Sequence, residues 1–160
     1  MAYESLRDLD RVDLQILEAL QSNGRLTMAE LGEKVSLSPS PCWRRVQLLE
    51  RGGFIVDYRA RLDRRMMGLD VHGFVSVRME NHAQSTSANF ERLVVALPEV
   101  IACQNLSGQY DYQLELVAPD HESFAQVVRE KIRSLPGVKD IYTSFTLKEV
   151  KTAGALPVQL

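Results

Sequence analysis

Residues 27–53 read TMAELGEKVSLSPSPCWRRVQLLERGG, and this stretch decides the fold of the first third of the chain. Thr27 and Glu30 have the capping-box spacing that begins a helix, since each side chain can satisfy the other's free backbone donor. A second helix is expected to begin at Ser38-Pro39, because Ser caps helices and Pro is tolerated at the first helical position. The glycine pair at the end of the stretch stops it. Two short helices joined by a three-residue turn predict a helix-turn-helix.

The two faces of the second helix differ in chemistry. At about 100° per residue, Cys42, Val46 and Leu49 share one face, which is expected to pack. The opposite face presents polar and basic side chains, namely Ser40, Arg44, Gln47 and Arg51. This geometry favours a recognition helix in the major groove of DNA, with Trp43 at its flank, packed on the first helix or beside a sugar-phosphate strand. The alternative is a solvated outer face, as in the bundles and enzymes that use the same packing.

Charge is concentrated in the same region. The 160-residue chain has a formal net charge of −2, so no global field indicates a nucleic-acid partner. Residues 38–65, however, hold seven arginines against three acidic side chains, a net of +4. Such a segment suits a local phosphate-binding surface, although solvated surface arginines give the same count.

A further helix and a strand flank this motif. Asp10 is a candidate N-cap for a helix that ends at Asn23-Gly24. Alternating residues from Phe54 to Leu62 predict a strand. The predicted organisation is a helix-turn-helix domain over 1–53, a linker strand over 54–65, a second domain over 66–152 and a tail over 153–160.

The second domain repeats one pattern. Leu97-Pro98-Glu99-Val100 and Leu135-Pro136-Gly137-Val138 lie 38 residues apart, and each follows an amphipathic helix and precedes a β-rich segment. Two β-α-β units joined by a tight turn at 107–109 predict an α+β, ferredoxin-like βαββαβ fold, with a four-stranded antiparallel sheet and both helices on one face. A second copy of the chain is the simplest cover for the bare face, which predicts a homodimer. The expected strands run over 71–79, 100–106, 110–117 and 138–147, and the second helix runs from Pro119-Asp120 to Leu135.

The turn between the repeats has chemistry of its own. Gly108 allows the close backbone approach that a ligand carboxylate needs, and Asp111 can accept from an α-ammonium group. The alternative is that Gly108 only closes a β-hairpin and Asp111 is a solvated edge residue.

Catalytic and metal-binding motifs are not found. The sequence contains no Gly-x-Ser-x-Gly, P-loop or Gly-x-Gly-x-x-Gly motif, and the three histidines (His72, His82 and His121) have no metal-ligand spacing and are interpreted as surface residues. We therefore expect no enzyme, metal or cofactor. Cys42 and Cys103 are both expected to be buried. With no signal peptide and no apolar run of membrane-spanning length, the protein is expected in the cytoplasm.

Several motifs in order resemble the Lrp/AsnC family of feast/famine regulators. They are Leu9-Asp10 with Asp13 and Ile16-Leu17, then Leu37 to Cys42 with Arg45-Val46 and Leu49-Glu50, then Ser107 to Tyr112, and finally Leu147 to Lys151. The match runs from about residue 8 to residue 152. The resemblance implies a sequence-specific transcriptional regulator whose DNA affinity or assembly responds to a small effector, an amino acid. It implies homodimers, which often assemble further into octamers, and the dimer symmetry predicts a pseudo-palindromic operator in double-stranded DNA.

The resemblance also assigns site residues. The recognition-helix stretch carries Ser38, Ser40, Pro41, Arg44, Arg45 and Gln47, to which the helix adds Arg51 on its outer face and Trp43 at its flank. The effector loop carries Ser107, Gly108, Gln109, Tyr110, Asp111 and Tyr112, and hydroxyls of Thr143 and Ser144 on the last strand can complete it. The alternative function is an amino-acid-binding metabolic or enzyme-regulatory module that does not bind DNA.

Overall fold

The chain divides into two compact units. A computed structural model describes residues 8–81, 83–151 and 154–158. One unit holds the chain up to Ala60 together with the stretch from Lys151 onward, and the other is Arg61–Val150. The elements are α1 Arg11–Ser22, α2 Met28–Val35, α3 Pro39–Arg51, β1 Val71–Met79, α4 Gln84–Val95, β2 Val100–Asn105, β3 Tyr112–Ala118, α5 His121–Gln126 with a π-helical continuation Val127–Ile132, and β4 Val138–Phe145.

Local hydrogen bonds begin the first two helices where the sequence predicts. The Asp10 carboxylate accepts from the backbone N–H groups of Val12 and Asp13, and the Asp13 carboxylate accepts from the N–H of Asp10. Thr27 and Glu30 make the corresponding reciprocal pair at α2. Both capping predictions are confirmed.

The turn between α2 and α3 is tight. The N–H of Leu37 donates to the carbonyl of Gly32 at 2.8 Å, and a Cβ on Gly32 would lie 2.5 Å from the Leu37 carbonyl oxygen. Ser36 takes the left-handed conformation, with φ of 57°. The predicted inner face of α3 is buried against α1 and α2, since Cys42, Val46 and Leu49 are each at most 3% exposed. Together these contacts form the helix-turn-helix.

The linker strand predicted over 54–65 is wrong. No residue of this stretch pairs with a strand in the described part of the chain. Phe54 packs on the core of the first unit, whereas Val56 and Leu62 further along are 88% and 67% exposed. A strand needs a neighbour for its backbone donors and acceptors, and none is available here.

The second unit is a four-stranded antiparallel sheet in the order β2-β3-β1-β4. This is the ferredoxin-like order expected from two β-α-β units, and the prediction is confirmed. Buried residues of β1 and β3 form one core with Phe90 and Val94 of α4 and with Phe124, Val128 and Ile132 of the last helical segment. Both helices therefore cover the same face of the sheet.

The second helix of this unit differs from prediction. It was expected to be one amphipathic helix to Leu135, but α5 ends at Gln126 and the chain continues as a π-helix over Val127–Ile132. The N–H of Arg133 donates to the Val128 carbonyl, five residues back, at 2.9 Å. Periodicity over so short a segment does not distinguish the two helix types.

The other sheet face carries alternate residues of each strand. His72, Phe74, Ser76 and Arg78 of β1 lie there, opposite Tyr142 and Ser144 of β4. His72 is held between Glu115, 2.7 Å from its Nε2, and Thr146, 3.0 Å from its Nδ1, so it is not a simple surface residue. His82 lies outside the described residues.

Of the two cysteines, Cys42 is buried as expected but Cys103 is exposed. Cys103 lies on β2, which is the edge strand of the sheet, and one side of an edge strand has no neighbour to cover it.

Candidate functional site

The outer face of α3 is open and cationic. Ser40, Pro41 and Arg44 are exposed, and so is Arg51 at the end of the helix. Neither Arg44 nor Arg51 makes an ion pair or hydrogen bond to any residue that the structure describes. Two guanidinium groups are thus available on one face, with all their donors open to a ligand such as phosphate or a base edge.

The N-terminus of α3 differs in one detail from the sequence prediction. Ser38 holds the N-cap position in an extended conformation, but its side chain makes no capping hydrogen bond, and Pro39 follows at the start of the helix. Trp43 is 52% exposed at the flank of the helix, between the buried and the open faces.

Gln47 is engaged within its own helix. Its amide donates to Glu50 Oε2 at 2.7 Å, and the phenol of Tyr58 donates to Glu50 Oε1 at 3.1 Å. Partial burial and the Glu50 carboxylate raise the pKa of Tyr58 to about 12, so the phenol stays a donor. The Gln47 side chain can contact DNA only if its hydrogen bond to Glu50 is broken.

Arg45 does not belong to the open face. Its Nη1 donates to Asp10 Oδ2 and to Asp13 Oδ1, both at 2.8 Å, and Asp13 is 1% exposed. The hydrogen bond that Arg45 donates to Asp13 is the largest influence raising the pKa of the Arg45 guanidinium. Arg45 therefore ties α3 to the first turn of α1, and the structure does not place it with the predicted DNA contacts.

The loop before β3 has an open tip and an anchored base. Ser107, Gly108 and Gln109 are exposed. Gly108 has φ of +142°, which L side chains rarely adopt, and no atom lies within 4 Å of a Cβ built there. A ligand can therefore reach the backbone of the loop tip without displacing any described residue.

Asp111 forms the anchor. Its Oδ2 accepts from the Met79 N–H at 2.7 Å and its own N–H donates to the Val77 carbonyl at 2.9 Å. Its carbonyl accepts from Leu106 N–H at 2.8 Å and from the Asn105 side chain at 3.1 Å. The interpretation of Asp111 as a solvated edge residue is therefore wrong, because the residue fastens the loop to β1.

The structure does not bring the remaining predicted effector residues to one site. Tyr112 is 3% exposed, packs on Phe90 at a ring distance of 4.6 Å and donates to Glu91, so it is part of the core. Thr143 and Ser144 are adjacent on β4 and point to opposite faces of the sheet, so they cannot line one site. Tyr110 is half-buried.

One residue at this end of the sheet was missed by the sequence prediction. Tyr142 stacks on Tyr110 with ring centroids 6.3 Å apart. In the sequence, Tyr142 is only an aromatic residue in the predicted last strand. Strands contain aromatic residues routinely, so nothing singled it out.

Residues 8–81, 83–151 and 154–158 contain neither a metal-binding cluster nor a membrane-spanning helix. No group of three or more potential ligand side chains could hold a metal ion there. Nor is any described helix both long and apolar enough to pass through a bilayer.

Comparisons with known proteins agree with this geometry. Residues 9–56 match the family model of a winged helix-turn-helix DNA-binding domain, and residues 72–156 match that of the Lrp/AsnC ligand binding domain. The Leucine-responsive regulatory proteins of Escherichia coli K12 and Salmonella typhimurium LT2 are each 37% identical over 153 residues, covering 96% of this chain and 93% of theirs.

Two solved structures of transcriptional regulators are also similar to this chain over most of its length. A Neisseria meningitidis transcriptional regulator in complex with L-methionine has 40% identity and a TM-score of 0.89, covering 94% of this chain and 97% of that one. An AsnC family transcriptional regulator from Agrobacterium tumefaciens has 34% identity and a TM-score of 0.87, over 94% of this chain and 97% of its own.

Proposed function

Since this chain belongs to the Lrp/AsnC family, as a DNA-binding transcriptional regulator with an amino-acid-binding domain, we propose that the open face of α3 reads the DNA and that an amino acid bound at the 107–112 loop controls the binding. The observation that carries the first half is that Arg44 and Arg51, on an exposed helix face, have no ion-pair or hydrogen-bond partner among the described residues. The match to a winged helix-turn-helix over residues 9–56 weighs against the alternative of a metabolite-binding module without DNA binding.

The DNA contact is assigned to a subset of the predicted residues. Ser38, Ser40, Pro41, Arg44 and Arg51 are the contact set, with Trp43 beside the sugar-phosphate strand and Gln47 reaching a base after release from Glu50. Arg45 is left out because two carboxylates already hold it.

Arg44→Ala tests this assignment. A guanidinium that meets a guanine edge contributes roughly 1–3 kcal/mol, so specific affinity should fall about 5- to 150-fold. The measurement is a gel shift on a duplex enriched from a random pool with the wild type. Arg129→Ala is the control, since this exposed arginine lies in the other unit. Unchanged affinity in Arg44→Ala contradicts the assignment, and an equal loss on all sequences makes Arg44 a phosphate contact.

The effector site is assigned to the loop tip. The amide groups of Ser107, Gly108 and Gln109 are the candidate donors for the amino acid's carboxylate, with Tyr110 and Tyr142 beside them. The L-methionine complex of the Neisseria relative supports an amino acid as the ligand class. Asp111 positions the loop and Tyr112 supports it from the core.

A thermal-shift screen of the twenty amino acids identifies the ligand, because binding to the native state raises the melting temperature. Gly108→Val should abolish that shift by blocking backbone approach. Gly68→Val is a matched control, since Gly68 also has positive φ with open space around it. A Gly108→Val protein that still responds places the effector elsewhere.

The regulator is proposed to act in the cytoplasm as a homodimer through the open sheet face, with octamers as the higher assembly implied by the family. The support is a row of half-exposed residues on β1 and β4, where a second sheet can pack. Two copies related by a twofold axis fit a pseudo-palindromic operator.

A further inference from the structure

A cavity of about 460 Å³ opens in the second unit, away from the effector loop. It lies at the Ala118 end of β3, whereas the loop precedes Tyr112 at the other end. The seven residues between separate the two by roughly 20 Å along the strand. Its walls include apolar side chains of Leu69, Val117 and Val127 and charged side chains of Glu99, Glu130 and Lys131.

The size and walls of this cavity are those of a small-molecule site. Volumes of about 300–1,000 Å³ with apolar walls and a few polar groups are typical of ligand pockets. Six of the eleven wall residues are Leu, Pro, Val or Ala, and five are polar, of which Glu99, Glu130 and Lys131 carry charge.

Glu99 has an unused acceptor here. Its Oε1 accepts from Lys131 Nζ at 2.5 Å, but its Oε2 is buried and has no hydrogen-bond partner among the described residues. A buried acceptor without a donor is unfavourable, so a ligand that supplies one gains affinity. A partial rotation about the broad terminal torsion of Glu99 would turn Oε2 toward the cavity, so that a ligand can share the carboxylate with Lys131.

The π-helical segment forms one wall. Val127, Glu130 and Lys131 all belong to Val127–Ile132, and a π-helix is rare and found frequently at functional sites. This unusual backbone thus places three of the lining side chains.

We propose that this cavity is a second ligand site, which binds a small primary amine with an apolar carbon body. The two carboxylates and one ammonium in the wall leave a net charge of −1, which favours a cation. The ammonium binds the Glu99 carboxylate and the carbon body packs on Leu69, Val117 and Val127. A free amino acid is disfavoured because the net negative charge of the wall repels its carboxylate.

Isothermal titration of the full chain with 3-methylbutylamine tests the proposal, with leucine and 3-methylbutanol as probes of the same carbon body. We expect the amine to bind, the uncharged alcohol not to bind, and leucine not to compete. Glu99→Gln should weaken amine binding at least about tenfold, as expected for loss of a charged hydrogen-bond partner. Glu122→Gln is the control, because Glu122 is an exposed carboxylate outside the cavity wall.

Two further variants locate the amine. Val127→Phe fills the cavity and should abolish amine binding. If circular dichroism shows that Glu99→Gln does not fold, Val127→Phe replaces it as the test of the site. Gly108→Val should leave amine binding unchanged. The proposal is overturned if the wild type binds no amine, if Val127→Phe binds like wild type, or if Gly108→Val removes binding, which would place the amine at the effector loop.

Discussion

The position of Arg45 on α3 turns its side chain toward α1 and away from the DNA-binding face. It was expected on the DNA-binding face because it stands next to Arg44 in the recognition-helix stretch. On a helical wheel it lies about 100° from Arg44 and only about 60° from buried Cys42. That angle, together with the carboxylates at Asp10 and Asp13, was available in the sequence. The sequence did not show which acidic residues Arg45 would contact, because that depends on how α3 packs against α1.

Arg45→Ala should therefore destabilise the first unit while Arg44→Ala should not. Removing the guanidinium leaves the buried Asp13 with one partner fewer, a loss of about 1–3 kcal/mol. The protein's only tryptophan, Trp43, lies in this unit, so its fluorescence reports unfolding in urea. Arg11→Ala, an exposed arginine of α1, is the control. A midpoint equal to wild type in Arg45→Ala would show that the two ion pairs contribute nothing.

Cys103 should react slowly with alkylating agents at neutral pH. Although the residue as a whole is exposed, neighbouring protein atoms desolvate its thiol, and this desolvation and the negative charge of Glu91 raise the pKa of the thiol. Less thiolate is therefore present at a given pH than in a free thiol. The rate of iodoacetamide labelling should reach half its maximum at a higher pH than that of a small thiol. Glu91→Gln removes one cause and should shift the profile to lower pH.

The control for this measurement is Cys103→Ser, which retains only the buried Cys42 and should label far more slowly. A profile that coincides with that of a small thiol contradicts the prediction.

At the scale of elements, local side-chain chemistry predicted where the helices begin, and the repeat predicted the strand order of the sheet, but alternation alone predicted a linker strand that is not there. The capping boxes at Asp10 and Thr27 fix helix starts with residues three apart, so the sequence alone sufficed. The strand expected after Phe54 failed because alternation describes a strand's two faces and not its partner. The π-helix at Val127 was missed because its distinguishing hydrogen bonds leave no periodic mark in six residues.

Gly32→Ala should disrupt the helix-turn-helix. The added Cβ would lie 2.5 Å from the Leu37 carbonyl oxygen, so the turn must move, at a cost of about 1–3 kcal/mol. Urea unfolding followed by Trp43 fluorescence measures the loss, and DNA affinity should fall because α3 shifts. Gly24→Ala is the matched control, since a Cβ there meets Tyr58 at an ordinary 3.4 Å. Equal stability of the two variants would contradict the tightness of this turn.

At the scale of the whole molecule, the repeat of Leu-Pro motifs predicted the sheet order but not its exposed side chains in detail. Tyr142 is 58% exposed on the open face, on the strand opposite Ser76. If two copies pack through this face, Tyr142→Glu should place a charge in the contact and raise the monomer fraction in sedimentation.

Val95→Glu is the matched control for this experiment, because Val95 is 85% exposed on α4, which covers the other face of the sheet. Dissociation by Val95→Glu and not by Tyr142→Glu would move the interface to the helical side.

The tail returns to the first helix. The Gln21 side chain donates to the Leu156 carbonyl at 3.2 Å and accepts from the Leu156 N–H at 2.7 Å, 135 residues along the chain. Sequence patterns describe neighbours along the chain, so they gave no indication of this pair. Because synthesis proceeds at about 5–20 residues per second, roughly 7–27 s pass between the addition of Gln21 and that of Leu156. On the ribosome, α1 is therefore made well before Leu156 is added, so these two hydrogen bonds can form only after almost the whole chain has been synthesised.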